Sequence, residues 1–511
     1  MTVSKHRFAK SLFPLLFGLF FTLLLSHPTG SYAEDRTKNQ TDPHLKEAQS
    51  KPLRSQIQWV HQSSSKASLD RDSNEVVTNE HFPDPDWWTQ FQDPNLTRLI
   101  QEALNQNLSL KQADLRIEES RGLARQALGQ EFPTLSLKPG FNRQRNSETL
   151  TTPSLSQFAA SGPRFFAPGQ TVNIYTFPLQ ASYELDYLGK NRLKTKAAQK
   201  TLLSKTAERN ATVVMVASEV ASAYVNLLNA DAQIELAAKR KEAAQTLQTL
   251  SKTIQQQGLS SEDAVMEANI QEADAESQLA QAKLTQSLAL NQLAILTAKT
   301  PAQVQNVTRS PLNQLQWPKA IETGVPSQLV MRRPDLMAAQ AQFESTTIQT
   351  KIAKREMFPS FTVTGQFGFA TTQLDKLFNW PSYLATVSPA IDWGLFHGGA
   401  RLAHYRVTKT QAKLALAQYE EKLLKGFKEV EDALANLKVH QAQWVLAQQR
   451  QTDSETLSRF QSERYGAGLV SQIPVLKSDL QTYQQQATQM QQNAQRWVDL
   501  IGVYKSVGGG F

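Results

Sequence analysis

Phe361-Thr362-Val363-Thr364-Gly365-Gln366-Phe367-Gly368-Phe369 decides how this chain is read. Phe361, Val363, Phe367 and Phe369 alternate with Thr362, Thr364, Gln366 and Gly368, a period of two that marks a strand with one apolar and one polar face. After a short polar break the alternation returns from Tyr383 to Leu395, with Tyr383, Ala385, Val387, Ile391, Trp393 and Leu395 on one side. On either side lie Gln- and Ala-rich segments with helical spacing, far longer than any strand. Two strands of membrane-spanning length set between long polar helices carry the functional argument.

Composition narrows the classes. The chain has 511 residues, no cysteine, and 54 Lys and Arg against 46 Asp and Glu. Without cysteine there is no disulfide, thiolate metal site, thiol nucleophile or lipidated cysteine. The charges are interspersed, so no nucleic-acid partner is expected. Residues 1–33 read as a signal peptide: Lys5, Arg7 and Lys10, an apolar run from Leu12 to Leu25, then Ser31-Tyr32-Ala33. Nothing beyond that leader is expected to cross a membrane as a helix, so further insertion must use strands.

Residues 34–84 form a polar lead-in. From Trp87-Trp88 the folded body begins, and Asp93-Pro94 starts a helix expected to run to about Gln130. Strands are expected at about 134–142 and 172–186, with Pro178 demanding a bulge or an unpaired donor position. A long helix over about 190–257 follows, since that stretch holds no proline or glycine; at ~1.5 Å per residue it would reach ~100 Å. A turn at Gly258-Leu259 returns a second helix over about 260–297. Then the pattern restarts. Ala127 to Pro133 matches Ala353 to Pro359 at an offset of 226, and Gly258-Leu259 matches Gly468-Leu469 at 210. The chain reads as a tandem duplication, 85–305 and 306–511, the second half carrying strands at about 360–370 and 383–397 and long helices at about 399–465 and 470–504.

Four strands cannot close a lipid-embedded barrel alone, because the smallest single-chain barrels have about eight. Either several chains share one barrel, or the strands form an ordinary sheet with one face on a core. Trp380, Tyr383 and Trp393 bracket the second hairpin like an interfacial girdle. In the first case the polar face lines a wet lumen that long helical hairpins continue.

In chain order, Trp87-Trp88 with Phe91 and Asp93-Pro94, Ala181-Ser182-Tyr183-Glu184-Leu185-Asp186, Val325-Pro326-Ser327-Gln328-Leu329 with Arg332-Arg333-Pro334-Asp335, Phe358-Pro359-Ser360, Phe427 to Leu434 and the Gly508–Phe511 end are similar to motifs of the TolC/OprM/NodT outer-membrane efflux family. The resemblance covers about Pro85 to Phe511. It implies a mainly α fold with a membrane β-barrel, a homotrimer of 12 strands in the outer membrane of a Gram-negative bacterium, and a helical tunnel in the periplasm. It also implies docking to a periplasmic adaptor and an inner-membrane transporter, in contact with outer-membrane lipid. The expected function is a passive multidrug exit duct; a type I protein-secretion duct or a secreted coiled-coil scaffold are the alternatives.

Two departures from the family bear on the site. Close relatives carry a lipidated cysteine after the leader, so this chain is expected to be held by its barrel alone. At the second tip, Arg464-Tyr465-Gly466-Ala467-Gly468-Leu469 keeps the family's turn, but the usual aspartate position holds Lys477, with Pro474 three residues earlier and Asp479 the nearest acid. A weaker cation preference at the tunnel constriction follows. Gly258, Leu259, Tyr465, Gly466, Gly468 and Leu469 are the candidate adaptor-docking residues, with the glycines read as turn formers and Tyr465 as either a cross-helix hydrogen-bond donor or helix-surface packing. Arg332 and Arg333 are assigned to the helix start. His397 and His404 lack a third ligand, and no metal, cofactor or catalytic residue is expected.

Overall fold

The computed structural model describes residues 78–79, 84–145, 147–149, 169–322 and 332–510. The expected leader, most of the lead-in, most of the 142–170 loop, Val325–Leu329 and Phe511 lie outside the described residues. In chain order the elements are β1 (Thr78–Asn79), α1 (Pro94–Gln106), α2 (Leu108–Gly129), β2 (Thr134–Leu137), β3 (Gly140–Arg145), β4 (Thr171–Leu185), α3 (Lys190–Gln256), α4 (Glu262–Leu296), α5 (Pro301–Val304), β5 (Ile321–Glu322), α6 (Pro334–Arg355), β6 (Ser360–Thr371), β7 (Tyr383–Asp392), α7 (Ala400–Gly466) and α8 (Gln472–Ser506). The fold is mainly helical with one antiparallel sheet; a short parallel pair of β1 with β5 lies outside the expected strands.

The helix expected from Asp93 is two. Asp93 Oδ1 accepts hydrogen bonds from the N–H groups of Asn95 and Leu96 and starts α1. Asn107 ends it and caps the next: its Oδ1 accepts from Ser109 and Leu110, and its Nδ2 donates to the Leu296 carbonyl at 2.8 Å. That last bond ties the break to the end of α4, which is why a residue of modest helix propensity sits there.

The sheet runs β2/β3–β4–β6–β7. Leu137 faces Leu179 and Gly140 faces Thr176, so the register continues unbroken across Lys138-Pro139. Lys138 N–H donates to the Pro178 carbonyl at 3.1 Å, and Pro178 has no N–H to return. The awkward proline therefore costs one ladder bond and makes no bulge. Opposite it on β6, a Cβ at Gly368 would come within 2.2 Å of the Phe177 carbonyl oxygen, so only glycine fits.

Each strand joins a helix at the same end of the sheet: α2 leads into β2, β4 into α3, α6 into β6, and β7 into α7. The helices repeat the strand order. Arg209 Nε donates to Asp114 Oδ1 between α3 and α2. Ser204 Oγ donates to the Ala338 carbonyl and Ser345 Oγ to the Ala197 carbonyl between α3 and α6. Thr350 Oγ1 donates to the Thr408 carbonyl between α6 and α7. Small residues at these contacts let the backbones approach closely, which suits a single layer of helices.

The main core lies around the middle of α3, where α1, the Trp87–Phe91 turn, the ends of α4 and α8, and part of α7 converge. Trp87 stacks on Tyr504 with centroids 5.0 Å apart, and Phe91 meets Trp497 edge-on at 4.9 Å. Against expectation, α3 contains a stretch long and apolar enough to cross a membrane, and most of it is buried inside the protein. Val220, Tyr224, Val225 and Leu227 there are fully enclosed, so its apolar residues serve this core.

Candidate functional site

The sheet carries one side of the functional geometry. Cross-strand partners keep their faces: Leu185 stands opposite Phe361 and Phe361 opposite Ile391, while Glu184 stands opposite Thr362 and Thr362 opposite Ala390. The same rule places Leu135, Leu137, Leu179, Phe367 and Val387 with the apolar set. In a soluble sheet that set would be buried on a core. Here Leu135 is 68% exposed, Val387 64% and Ile391 67%. Phe378 packs on Phe177 and Phe369 at the end away from the helices, but the described residues leave the rest of this face largely open, and β7 has no partner on its outer edge among them. An exposed apolar face of this extent marks a contact with lipid or another protein, and in lipid its open edges must be paired.

The three bracketing aromatics divide between the two ends. Trp380 stacks on Tyr383 at 5.2 Å with planes 8° apart, at the end away from the helices. Trp393 is exposed just past β7 at the helical end, because the strand stops at Asp392, short of the expected 397. The chain turns there over Gly394, where any side chain would overlap the His397 ring. The ten residues of β7, at ~3.4 Å each and tilted by roughly 40°, span about 25 Å, the height of a barrel's apolar band.

The far ends of the hairpins hold the candidate docking residues. Gly258 and Gly468 both adopt φ +73. At each, two amides reach back: Gly258 N–H donates to Gln255 O and Leu259 N–H to Ile254 O, and Gly468 and Leu469 repeat this with Tyr465 and Arg464. These left-handed caps satisfy the last helical carbonyls. They project Leu259 and Leu469 into solvent, 75% and 72% exposed. Gly466 differs from its expected role. It is the last residue of α7, has no positive φ, and a Cβ there would meet open space, so the turn does not require it. Tyr465 is half-exposed, with no side-chain hydrogen bond within this chain among the described residues.

The three residues expected at the constriction part company. Pro474 stands third in α8, where its missing N–H has no intrahelical acceptor to lose. Lys477 Nζ lies 2.9 Å from Glu267 Oε2, which joins α8 to α4. Asp479 turns toward α7 and accepts a hydrogen bond from Ser458 Oγ at 2.5 Å. Beside the Lys477–Glu267 pair a cleft of about 280 Å³ opens between α3, α4 and α8, lined by Arg240, Gln271 and Gln484. The Arg240 guanidinium donates to Gln278 and Gln484 across that cleft, and burial pulls it below the usual arginine range.

Sequence reasoning misses three residues that hold this layout in place. Arg333 sits at a helix start, as expected, but its buried guanidinium reaches much further. It donates to Asp335, to Glu429 at 2.7 Å, and to the Ser506 carbonyl at 3.0 Å, tying α6 to α7 and to the end of α8. Burial opposes its charge, but Asp335 and Glu429 more than offset that and raise it. Tyr224 donates to Asp93 Oδ2 at 2.9 Å and accepts from Ser310 N–H; burial and the Asp93 carboxylate push its phenol up. Arg496 is held between Trp317 and Trp444, 4.2 and 3.8 Å from their centroids, and burial lowers it to about 10. Glu267, by contrast, could have been found, because the offset that aligns the two tips also places it at the position of Lys477.

Polar helical hairpins hung from a sheet with an uncovered apolar face define a membrane-channel protein. The chain belongs to the outer membrane efflux protein family, whose sequence profile matches residues 99–299 and 325–509. It is similar to the probable outer membrane lipoprotein SilC of Salmonella typhimurium, 26% identical over 453 residues, 87% of this chain and 92% of that one. It is also similar to the cation efflux system protein CusC of Escherichia coli K12, 27% identical over 444 residues, 85% and 91% of the two chains. The CmeC outer membrane channel of Campylobacter jejuni shares the fold with a TM-score of 0.76 at 23% identity, covering 87% of this chain and 91% of that one.

Proposed function

We propose that the protein is the outer-membrane exit duct of a tripartite efflux system. Three copies pool their strands, β7 of one pairing with the β2/β3 edge of the next, and close a 12-stranded barrel. The apolar face meets lipid; the polar face of Thr, Ser and Gln lines the lumen. The helical hairpins, a tandem duplication of one unit, continue that lumen through the periplasm. Equal hairpins, 67 residues out and 35 residues back in each half, support the duplication. The exposed Leu259 and Leu469 turns meet a periplasmic adaptor, which couples the duct to an inner-membrane transporter. The duct catalyses no reaction; cargo moves through it passively.

One observation carries this reading: a four-strand-wide apolar face left open to solvent beside an unpaired edge. The test is conductance of the purified protein in planar bilayers, with its size in detergent and the drug susceptibility of a deletion strain. A trimer that conducts, with sensitised cells, is the expected result. A soluble, non-conducting product would sink the duct. Conductance with unchanged susceptibility and loss of a secreted protein would move the cargo to polypeptide.

A further inference from the structure

We infer that the outward face of the helices just below the sheet is a binding belt for anionic phospholipid headgroups, those of the leaflet on the helical side of the membrane. This rests on the proposal that the sheet spans that membrane. The four segments meeting the helical end of the sheet, 121–137, 184–200, 344–360 and 392–413, carry 14 Lys and Arg against 6 Asp and Glu. That excess of 8 equals the formal net charge of the whole chain, +8. The protein's positive charge is therefore concentrated in one band.

Which of these residues face outward follows from the register. Glu184 lies on the polar face of β4, and Lys190 Nζ sits 2.6 Å from its Oε1, so the Lys190 side of α3 continues the lumen. At 100° per residue, Arg192 and Lys196 stand roughly 200° and 240° around the helix from Lys190. That is the side of the helix opposite Lys190; just before the helix, the Tyr187 ring packs edge-on against Phe361 of the apolar face at 4.8 Å. Helix α7 starts on a left-handed glycine, Gly399, as α3 does on Gly189, its counterpart in the first repeat. Arg406 and Lys409 therefore take the places of Lys196 and Gln199. Arg192, Lys196, Arg406 and Lys409 are all exposed, and none has a carboxylate within ion-pair distance among the described residues.

Depth fits as well. These residues begin ~3–14 Å along the helices at 1.5 Å per residue, while the headgroup zone beyond the hydrocarbon is about 5–8 Å thick. Long basic side chains rise along the helix to reach it. Above them, Trp393 and Phe396 stand exposed at the edge of the apolar face. An aromatic collar over unpaired cations matches a zwitterionic-to-anionic headgroup layer, and each cation near an anionic surface raises occupancy roughly fivefold.

The test uses the full chain. It is first floated with phosphatidylcholine vesicles, then held in mixed micelles with equal mole fractions of phosphatidylcholine and phosphatidylglycerol, and retained lipid is counted by native mass spectrometry. The expected result is flotation, at least fivefold more retained phosphatidylglycerol than phosphatidylcholine, and loss of most of that preference in the Arg192→Gln, Lys196→Gln, Arg406→Gln, Lys409→Gln variant. A control with the same charge change at Lys252, Lys283, Lys438 and Arg450 keeps the preference. Flotation without lipid preference, or a preference that survives in the belt variant or falls equally in the control, overturns the belt while leaving the duct standing. A chain that fails to float with the vesicles overturns the membrane reading and this inference together.

Discussion

The hairpin of α3 and α4 and the hairpin of α7 and α8 share lengths, a left-handed glycine at their start and the same pair of backbone bonds at their turn. They differ in what holds them. Helix α3 buries Val, Ala and Leu over several turns in the main core, with Tyr224 bonded to the Asp93 cap. Helix α7 buries fewer residues of its own and is held by charged and polar ties from elsewhere: Arg333 to Glu429, Ser458 to Asp479, His440 to Asp499. Both hairpins carry polar ties, but α3 buries about twice as many of its own residues as α7 does over the same length. With fewer buried residues of its own, α7 is expected to lose exchange protection before α3.

The sharpest way to break this contrast is at Arg333. Arg333→Met leaves Asp335 and Glu429 without their cation and the Ser506 carbonyl without its guanidinium donor. We expect a loss of about 3 kcal/mol in denaturant unfolding of the detergent-solubilised protein. Loss of the α7 signals before the α3 signals in hydrogen exchange would tie that cost to the second hairpin; uniform loss would remove the distinction. The pH dependence has a definite sign. Burial pushes the Asp335 carboxyl up, but Arg333 and the Leu336 N–H more than reverse this and hold it below the ordinary range. A depressed carboxylate gives stability that is present above its unfolded value of ~3.9 and is lost as pH falls through the folded one. The wild type should therefore lose this tie in acid, and Arg333→Met should show a flatter acid limb.

Tyr224→Phe probes the packed hairpin. It leaves Asp93 and the Ser310 N–H short of a partner beside a full core, at a cost of about 1–2 kcal/mol. Exchange protection should then fail first in α3 near Asp93. A neutral outcome would mean that packing alone fixes this helix.

The turns give smaller, opposite effects. Gly468→Ala must place a Cβ at φ +73 and should cost about 1 kcal/mol, while Gly466→Ala, two residues away in helical backbone, should gain about 0.5 kcal/mol. Ala298 holds φ +53 at the end of α4, where Gly508, 210 residues later at the end of α8, holds φ +98. Ala298→Gly should gain about 0.5 kcal/mol, since glycine adopts positive φ without the Cβ clash. Thermal melts of the three variants check the ranking.

The sequence made the element plan readable because its two periodicities are strong: alternation over Phe361–Phe369, and helical spacing without proline or glycine from Lys190 to Gln257. What failed had specific causes. Asn107 breaks a helix by bonding to Leu296 at the end of α4, and no local pattern encodes that. Trp393 and Leu395 continue the alternation past Asp392, yet the backbone has already turned at Gly394, since an apolar girdle residue and a strand residue look alike in sequence. At the site, Gly258 and Gly468 were legible because positive φ demands glycine. The partner of Asp479 was not, because pairing between distant helices depends on their rotation about their own axes.

The candidate constriction offers the mildest change in stability and the clearest readout of charge. The Lys477–Glu267 pair is half-exposed on both sides, so breaking it should cost under ~0.5 kcal/mol. Its effect on permeation should be larger. As long as Glu267 and Asp479 keep their charges, Lys477→Gln leaves the tip more negative, and cation over anion permeability should rise roughly twofold in bilayers at low salt. Glu267→Gln frees the lysine and should lower the ratio by a similar factor. Opposite shifts of similar size, both vanishing in molar salt, would place the pair in the path. Strong cation selectivity untouched by either change and abolished only by Asp479→Ala would put the filter on the α7 side of α8, where Ser458 orients that carboxylate, and would leave Lys477 a tie between hairpins and nothing more.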